Sequence, residues 1–320
     1  MSYRSNTAVQ TILPLIALVI SSCADPVPVE EGFPMRFAAP DRLIAIGDLH
    51  GDLEAARTAL RLGGAIDAED RWIGGDLVVV QTGDILDRGD NEEAIIRLFQ
   101  RLHEEAEASG GAVHVLNGNH ELMNASRDYR YVTPGGFADF ADVAVPTGAD
   151  SFMTSLEPDQ RPRVAAFTPG GPFARLMAQR NSIVIVGSSV FVHGGVLPEH
   201  LDRGLDDMND EIRAWLRGEA PQPEWIRGDR SPVWTRLYSS EPSVAACDTL
   251  SSVLERVGVE RMVVGHTVQR TGVTSFCGGR VWGIDVGLAA HYGGRPAVLE
   301  IRDGAVRSLR FSGVDLDLPR

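Results

Sequence analysis

Three apolar, strand-like segments that each end in a polar motif constrain the fold of this chain more than any other feature. The segments are Arg42–Ile46, residues 77–81 and residues 112–116, and the motifs that follow are Gly-Asp-Leu-His-Gly, Gly-Asp-Ile-Leu-Asp-Arg-Gly and Gly-Asn-His-Glu. The segments that separate the strands, Leu53–Leu62 and Glu92–Ala108, carry apolar residues at helical spacing. This β-α-β-α-β order predicts a mostly parallel sheet that is buried on both faces.

The rest of the chain is predicted to form an insertion followed by further helices and strands. Residues 129–180 contain two turns rich in Pro and Gly, and we expect them to form an insertion or cap rather than sheet. The later segments have clearer periodicity. They are a hairpin (residues 183–186 and 190–192), two helices (205–216 and 250–257), a strand (262–264) and further antiparallel strands (273–301).

The polar motifs supply ligands for two metal ions. Because ligands of open α/β sheets bind at the carboxyl ends of the strands, the motif loops should converge. The potential ligands form two sets that share one carboxylate: Asp48, His50 and Asp84 for a first ion, and Asp84, Asn119, His193 and His266 for a second. Ions that share a ligand in this way lie about 3.5–4 Å apart, and a hydroxide between them can attack phosphorus in line. The mixture of imidazole, carboxylate and amide donors favours Mn or Fe, with Zn as a further option.

Four further residues have side chains suited to phosphate chemistry. His120 is the predicted general acid, with Asp87 as the carboxylate that orients its ring and keeps it protonated. Arg88 can donate to two phosphate oxygens at once, and Arg236 is a second candidate for phosphate binding. Glu121 is expected to fix its loop rather than to take part in the chemistry.

Other reactive side chains have no clear place in this scheme. His103, His114 and His200 are expected to be structural or on the surface. Two residues, His291 and Asp285, either reach the site or pack in the core. The pair Cys247 and Cys277 forms either a disulfide or two buried free thiols.

Composition and the N-terminus bound the class of protein. One catalytic domain is expected from 320 residues, and a formal charge of -14 argues against a nucleic-acid partner. Residues 1–22 combine a basic residue, a short apolar run and Ser-Ser before Cys23, which predicts a lipoprotein signal peptide. Residues 23–40 are then a tether, and residues 41–320 the domain with its insertion near 129–180. The lipid on Cys23 would hold the exported bacterial protein on the periplasmic or cell-envelope side of a membrane.

The three long motifs and the two later histidines resemble the PPP family of metal-dependent phosphoprotein phosphatases. Three other segments are similar to its Shewanella-like branch: the ones that begin at Gly228 (Gly-Asp-Arg-Ser-Pro-Val-Trp-Thr-Arg), Arg261 (Arg-Met-Val-Val-Gly-His-Thr) and Tyr131 (Tyr-Val-Thr-Pro-Gly-Gly-Phe). The resemblance implies an α/β calcineurin-like metallophosphoesterase fold, an α+β sandwich of two mixed β-sheets flanked by helices. It also implies direct hydrolysis at the metal and catalytic positions named above. The Ser-Ala-Pro-Asn-Tyr segment of the toxin-sensitive members is absent.

These observations predict a membrane-tethered phosphoprotein phosphatase that uses two metal ions and a histidine acid. Members of the branch act on phosphotyrosine in some cases and on phosphoserine or phosphothreonine in others, and both remain open here. A small-molecule phosphoesterase, such as a dinucleoside polyphosphate hydrolase, is the alternative enzyme. A catalytically silent lipoprotein that binds a phosphorylated partner is the alternative of another class, although a pure binder would not need His120. The oligomeric state is left open.

Overall fold

The strands that precede the motifs lie together in one of two β-sheets. The computed structural model of the chain describes residues 1–2, 33–148 and 150–310. The strands of this part are β1 (Arg36–Phe37), β2 (Arg42–Ile46), β3 (Val78–Gln81), β4 (Ala112–Val115), β5 (Ile183–Val186), β6 (Ser189–Val192), β7 (Arg261–Val264), β8 (Thr274–Phe276), β9 (Val281–Gly283), β10 (Ala297–Arg302) and β11 (Ala305–Arg310).

The helices of the described residues connect these strands. They are α1 (Leu53–Leu62), α2 (Glu92–Ala108), α3 (Asn119–Ala125), α4 (Pro134–Ala138), α5 (Ser151–Ser155), α6 (Arg161–Phe167), α7 (Pro172–Met177), α8 (Pro198–Arg203), α9 (Leu205–Arg217) and α10 (Val244–Val257), with short 3-10 turns at Glu224–Ile226 and Cys277–Gly279. Among them, none is both long and apolar enough to cross a membrane.

The first sheet contains the three motif-bearing strands. Its order is β11-β10-β2-β3-β4. The pairs β2–β3 and β3–β4 are parallel, as predicted, whereas β10 and β11 extend the sheet in antiparallel fashion. The parallel strands therefore bring all three motif loops to the same edge.

The second sheet holds the strands that precede the two later histidines. Its order is β1-β5-β6-β7-β9-β8. The hairpin β5–β6 is antiparallel, as predicted, and β6 runs parallel to β7. The prediction of only antiparallel strands from residue 273 onward is wrong at β9, which pairs with β7 in parallel as well as with β8 in antiparallel fashion. Whether two strands pair in parallel depends on how the chain between them connects their ends. The residue pattern within one strand does not contain this information.

Alternating residues of the second sheet contact two different layers. On one face Val184, Phe191 and Val263 pack in the same core as Ile44 and Val79 of the first sheet. On the opposite face, Ile185, Val190, Val192, Met262 and Val264 pack against Leu250 and Leu254 of α10. The first sheet is covered by Ala56 of α1 and Phe99 of α2. The layers therefore follow the order helices, sheet, sheet, helices. This order confirms the predicted sandwich of two mixed sheets.

The C-terminal part of the predicted tether belongs to the fold. The compact unit begins at Phe33 rather than at residue 41. Met35 is buried, its carbonyl accepts the N–H of Ile185 (2.8 Å), and β1 adds to β5 in parallel. Two residues are too few for a periodic pattern, which explains why the composition of the segment suggested a linker. The predicted signal peptide, Cys23 and the rest of the tether lie outside the described residues.

The structure also gives the start of helix α10, the state of the two cysteines and the fold of residues 129–180. Helix α10 begins six residues before its predicted start, because Ser243 caps its first turn by accepting the N–H of Ala246 (3.2 Å). The two cysteines are joined in a disulfide, with their Cα atoms 5.3 Å apart, so the alternative of free thiols is wrong. Residues 129–180 form the four short helices α4 to α7 and no strand among their described residues, as predicted.

Candidate metal centre

The loops after β2 and β3 are bonded directly to each other. The carbonyl oxygen of Asp84 accepts the N–H groups of Leu49 (3.0 Å) and His50 (2.9 Å). The loop after β4 joins them, because the N–H of His120 donates to the Asp84 carboxylate at 2.9 Å. The site is therefore a set of loops that hold one another by backbone hydrogen bonds.

Glu121 fixes these loops, as predicted from its place in the third motif. Its buried carboxylate accepts the N–H groups of Asp84 (2.8 Å), Ile85 (2.8 Å), Leu86 (3.2 Å) and Gly118 (2.7 Å). A carboxylate has room for about four such bonds, so Glu121 uses its full accepting capacity on the backbone. No oxygen of this side chain is left over for a metal ion.

The site demands unusual backbone geometry. Five of its residues have positive φ: His50 (43°), Asp84 (58°), Asp87 (68°), Arg88 (70°) and His266 (64°). At Gly118, a Cβ atom would collide with the Asp84 carboxylate. The glycine of Gly-Asn-His-Glu is thus required by the close approach of two loops.

The predicted metal ligands converge. His50 Nε2 lies 3.8 Å from Asp84 Oδ2 and 3.9 Å from Asp48 Oδ2. His193 Nε2 lies 3.1 Å from Asp84 Oδ2 and 2.8 Å from Asn119 Oδ1. Donor atoms that are each about 2.1 Å from one ion are separated by roughly 3–4 Å, so these spacings fit metal coordination.

His266 completes the second set. Ligand atoms of Asp84, His193 and His266 all lie within 4.8 Å of one another. A second triplet of the same kind consists of His50, Asp84 and His120, so Asp84 is common to both. The structure therefore brings all six predicted metal ligands together, with Asp84 between the two groups.

The three predicted histidine ligands share one hydrogen-bonding arrangement. In each ring one nitrogen faces a backbone carbonyl: His50 Nδ1 to Leu86 (3.0 Å), His193 Nδ1 to Thr82 (2.9 Å) and His266 Nε2 to Trp234 (3.0 Å). A nitrogen that donates to a carbonyl must carry the proton, which leaves the other nitrogen with a free lone pair. Metal-binding histidines are held in this way.

The buried charges also favour a cation. Burial lowers the pKa of His50 to about 3, and burial together with His193 and Arg236 holds the pKa of His266 well below its ordinary value. These rings are therefore neutral. Burial, Asp285 and Asp84 in turn raise the pKa of Asp48 well above its ordinary value. Such crowding of carboxyl groups beside neutral imidazoles is relieved when a metal ion binds.

His120 differs from the other histidines because its partner is a carboxylate. Its Nδ1 lies 2.6 Å from Asp87 Oδ2, and both side chains are buried. Burial alone would lower the pKa of this imidazole, but the carboxylates of Asp84 and Asp87 outweigh it and raise the pKa of His120. The raised pKa favours the protonated ring, as a proton donor requires, and Nε2 lies 3.8 Å from Asp84 Oδ2.

The two predicted phosphate-binding arginines both lie at the site. Arg88 is held between the rings of Tyr131 (4.7 Å) and Tyr292 (5.1 Å), with its Nη2 3.5 Å from His120 Nε2. Its Nε is buried without a partner among the described residues. Arg236 is more exposed and donates to the carbonyl of His266 at 3.2 Å.

Known proteins share both the sequence and the fold. Residues 41–270 match the calcineurin-like phosphoesterase (Metallophos) family. The chain is 40% identical over 316 residues to Shewanella-like protein phosphatase 2 of Arabidopsis thaliana, across 88% of this chain and 81% of the relative. It is 26% identical over 283 residues to Shewanella-like protein phosphatase 1 of Plasmodium berghei (strain Anka), across 84% and 74%. Its structure superposes on a cold-active protein-tyrosine phosphatase of a psychrophilic Shewanella species with a TM-score of 0.69, at 25% identity and across 87% and 83%.

The chain belongs to the calcineurin-like phosphoesterase family. Within that family it resembles the Shewanella-like protein phosphatases, as the motifs predicted. It is accordingly a metal-dependent hydrolase of phosphate esters.

In this phosphoesterase, the sequence analysis missed several residues that contact the site. Asn124, one helical turn after His120, donates to Asp87 Oδ1 at 2.9 Å, and Arg163 donates to the same oxygen at 3.2 Å. The spacing of four residues could have identified Asn124, but nothing local marked Arg163. The rings of Tyr131 and Tyr292 also border the site.

Of the remaining histidines and Asp285, only Asp285 is found at the metal centre among these described residues. His103 pairs with Glu107 on the surface of α2, His114 packs on Phe37, and His200 accepts the N–H of Leu197 at the start of α8, all consistent with structural roles. His291 is exposed, and its ring lies against that of its neighbour Tyr292. Asp285 reaches the centre, where it lies against Asp48 and burial raises its pKa to about 6.

Proposed function

We propose that this phosphoesterase removes phosphate from phosphorylated proteins or peptides. The observation that carries the proposal is the buried His120–Asp87 pair beside converging metal ligands, because this is the equipment for protonating an alcohol or phenol as it leaves phosphorus. The names of the similar proteins, which are protein phosphatases, support the substrate class. The same pair argues against a catalytically silent binder.

The two metal positions are proposed to use the two sets of converging side chains. Asp48, His50 and Asp84 would hold one ion, and Asp84, Asn119, His193 and His266 the other. Mixed nitrogen and oxygen donors suit Mn, Fe or Zn better than an all-oxygen site would. Such ions, when bound, lower the pKa of water and offset the charge of the phosphoryl oxygens.

The protein's own groups then orient and protonate the substrate. The Nε of Arg88 has no partner among the described residues and its Nη2 lies 3.5 Å from His120 Nε2, so the guanidinium is placed to donate to two phosphate oxygens beside the proton donor. Arg236, which is exposed and bonded to the carbonyl of His266, is proposed to assist it. His120 carries its acidic proton on Nε2, since Asp87 occupies Nδ1, and donates it to the departing oxygen.

A comparison of substrates tests this proposal. Metal would be removed from the purified protein, Mn²⁺ restored, and phosphate release measured from phosphotyrosine peptides, phosphoserine peptides and a dinucleoside polyphosphate. Preference for either peptide supports a protein phosphatase and identifies its class. Preference for the dinucleotide would instead establish small-molecule hydrolysis, with Tyr131 and Tyr292 available to stack on a base. No metal-dependent release from any substrate would favour the silent binder.

We also propose that the enzyme is an exported, lipid-anchored protein. The segment before Cys23 supports this, and so does the disulfide between Cys247 and Cys277, since such bonds persist in oxidising compartments. In a bacterial host, labelled palmitate should enter the wild-type protein but not Cys23→Ser, and only the wild type should sediment with membranes. An unlabelled wild-type protein outside the membrane fraction would contradict the proposal.

A further inference from the structure

One charged side chain of the insertion (residues 129–180) contacts the His120–Asp87 pair from the side of Asp87. Arg163 of α6 is fully buried. Its guanidinium donates to Asp87 Oδ1 (3.2 Å), Asn124 Oδ1 (3.1 Å) and the carbonyl of Gly136 (2.7 Å), and lies 2.5 Å from the carboxyl group of Glu92. One residue of the insertion thus contacts the loop after β3, α2, α3 and α4.

The two oxygens of Asp87 have different partners. Oδ2 lies 2.6 Å from His120 Nδ1, whereas Oδ1 accepts from Asn124 and Arg163. A carboxylate bound through one oxygen can rotate about its Cβ–Cγ bond. The contacts to Oδ1 prevent that rotation and so determine where the His120 ring points.

Buried groups surround the Arg163 guanidinium on every side that the described contacts define. It lies between the carboxyl groups of Glu92 and Asp87, and burial raises the pKa of Glu92. The rings of Phe140 (5.0 Å) and Phe167 (5.1 Å) pack against the guanidinium and exclude water from it. A planar group with several donors in fixed directions is required here, and lysine cannot reproduce it.

We infer that Arg163 is a positioning residue for the proton transfer: it locks Asp87 and thereby aims His120 at the departing oxygen. The inference rests on the proposed function, because it needs His120 to be the general acid. It also gives the insertion a role in catalysis, since this part of the chain is the source of Arg163.

The dependence of the rate on the leaving group separates this role from a merely structural one. Phenol leaves phosphorus poorly and needs a proton, whereas 2,4-dinitrophenol leaves readily without one. A misaimed acid therefore slows hydrolysis of phenyl phosphate and spares that of 2,4-dinitrophenyl phosphate. A loosened fold or a lost metal slows both equally.

The test compares Arg163→Lys with the wild type of the full chain, loaded with Mn²⁺, on both substrates. A small displacement of a catalytic group costs up to about 100-fold, so we expect kcat for phenyl phosphate to fall about 10–100-fold and that for the dinitrophenyl ester to fall less than about 3-fold. Arg161→Lys is the matched control, because Arg161 lies on the same helix and, within the described part of the chain, donates only to the carbonyls of Leu156 and Thr154. It should leave both rates unchanged.

Phe140→Leu provides a second variant if lysine at position 163 prevents folding. It removes one ring from the guanidinium and leaves the hydrogen bonds to Asp87 in place, so the same selective loss should appear at smaller size. Equal losses on both substrates, or none, in the folded variants would overturn the inference. His120→Asn is the reference for a selective loss. If the wild type hydrolyses neither ester, the proposed function itself is wrong. If His120→Asn shows the selective loss and the Arg163 and Phe140 variants do not, only the role of Arg163 is refuted.

Discussion

The metal loops extend from neighbouring strands, whereas the insertion of residues 129–180 reaches the same centre through short helices. Each metal loop begins where a strand of one of the two sheets ends, and the backbones of the loops bond to each other. The insertion contributes the Arg163 guanidinium from α6, which contacts Asp87, and the ring of Tyr131, which lies against Arg88 and His120. The first region supplies the predicted metal ligands, and the second packs around the predicted proton donor and its carboxylate partner.

The difference between the two regions teaches how the fold divides its tasks. Metal ligands must lie within a few tenths of an ångström of their places, and strand ends in a sheet provide that accuracy. Support from behind the catalytic pair needs only one side chain with the right reach and shape. The surrounding insertion can therefore have an irregular structure without disturbing the metal centre.

The largest effect is expected at the residue that both metal groups share. Asp84→Asn removes a charged ligand from both positions, so the purified variant should contain little of either ion and should lose nearly all turnover. Metal content is measured by mass spectrometry of the digested protein. Asp150→Asn is the control, since Asp150 pairs with Arg127 on the surface and asparagine preserves its capping of α5. A variant of Asp84 that kept two tightly bound ions would show that the groups do not share it.

A smaller loss is expected at the junction of the two regions. His120→Asn should keep both ions and lower kcat about 10²–10⁴-fold, as the loss of one general acid does. Steady-state kinetics and metal content on the same sample measure this. His291→Asn, a surface substitution of the same kind, should retain full activity. Unchanged turnover in His120→Asn would place the proton donor elsewhere.

The smallest effect is expected at the carboxylate that holds the loops together, and it is an effect on stability. Glu121→Gln replaces one accepting oxygen by an NH₂ group that faces backbone N–H donors, and each lost bond to a buried donor costs about 1–3 kcal/mol. The free energy of unfolding, measured in urea without metal, should fall by that order. Glu107→Gln on the exposed side of α2 serves as control. Equal stability of Glu121→Gln and wild type would mean that the loops hold together without this carboxylate.

The sequence predicted the metal loops well because their chemistry is local. Asp48, Asp84 and Asn119 each follow a β-type segment within a short motif, and chain order alone placed these segments in a parallel sheet. Even His193 and His266, which have little motif around them, could be assigned because each follows the end of a strand within two residues. The comparisons then confirmed the family and fold that these positions implied.

What the sequence did not predict depends on contacts between distant residues. Arg163 lies 76 positions from Asp87, in a segment without periodicity, so no local pattern could connect them. The parallel pairing of β9 with β7 and the addition of β1 to β5 are likewise decided by the assembled sheet. In each case the contact is determined by a residue or strand elsewhere in the chain, which the local sequence does not reveal.

The positive φ angles of the centre have a consequence for protein engineering. His50, Asp84, Asp87, Arg88 and His266 each adopt a backbone conformation that costs a non-glycine residue roughly 1–2 kcal/mol and that glycine adopts freely. A redesign that weighed backbone strain alone would therefore place glycine at these five positions. It would remove two predicted histidine ligands, the shared carboxylate, a candidate phosphate-binding arginine and the partner of the predicted proton donor, so the residues that strain the backbone are those on which the proposed chemistry depends.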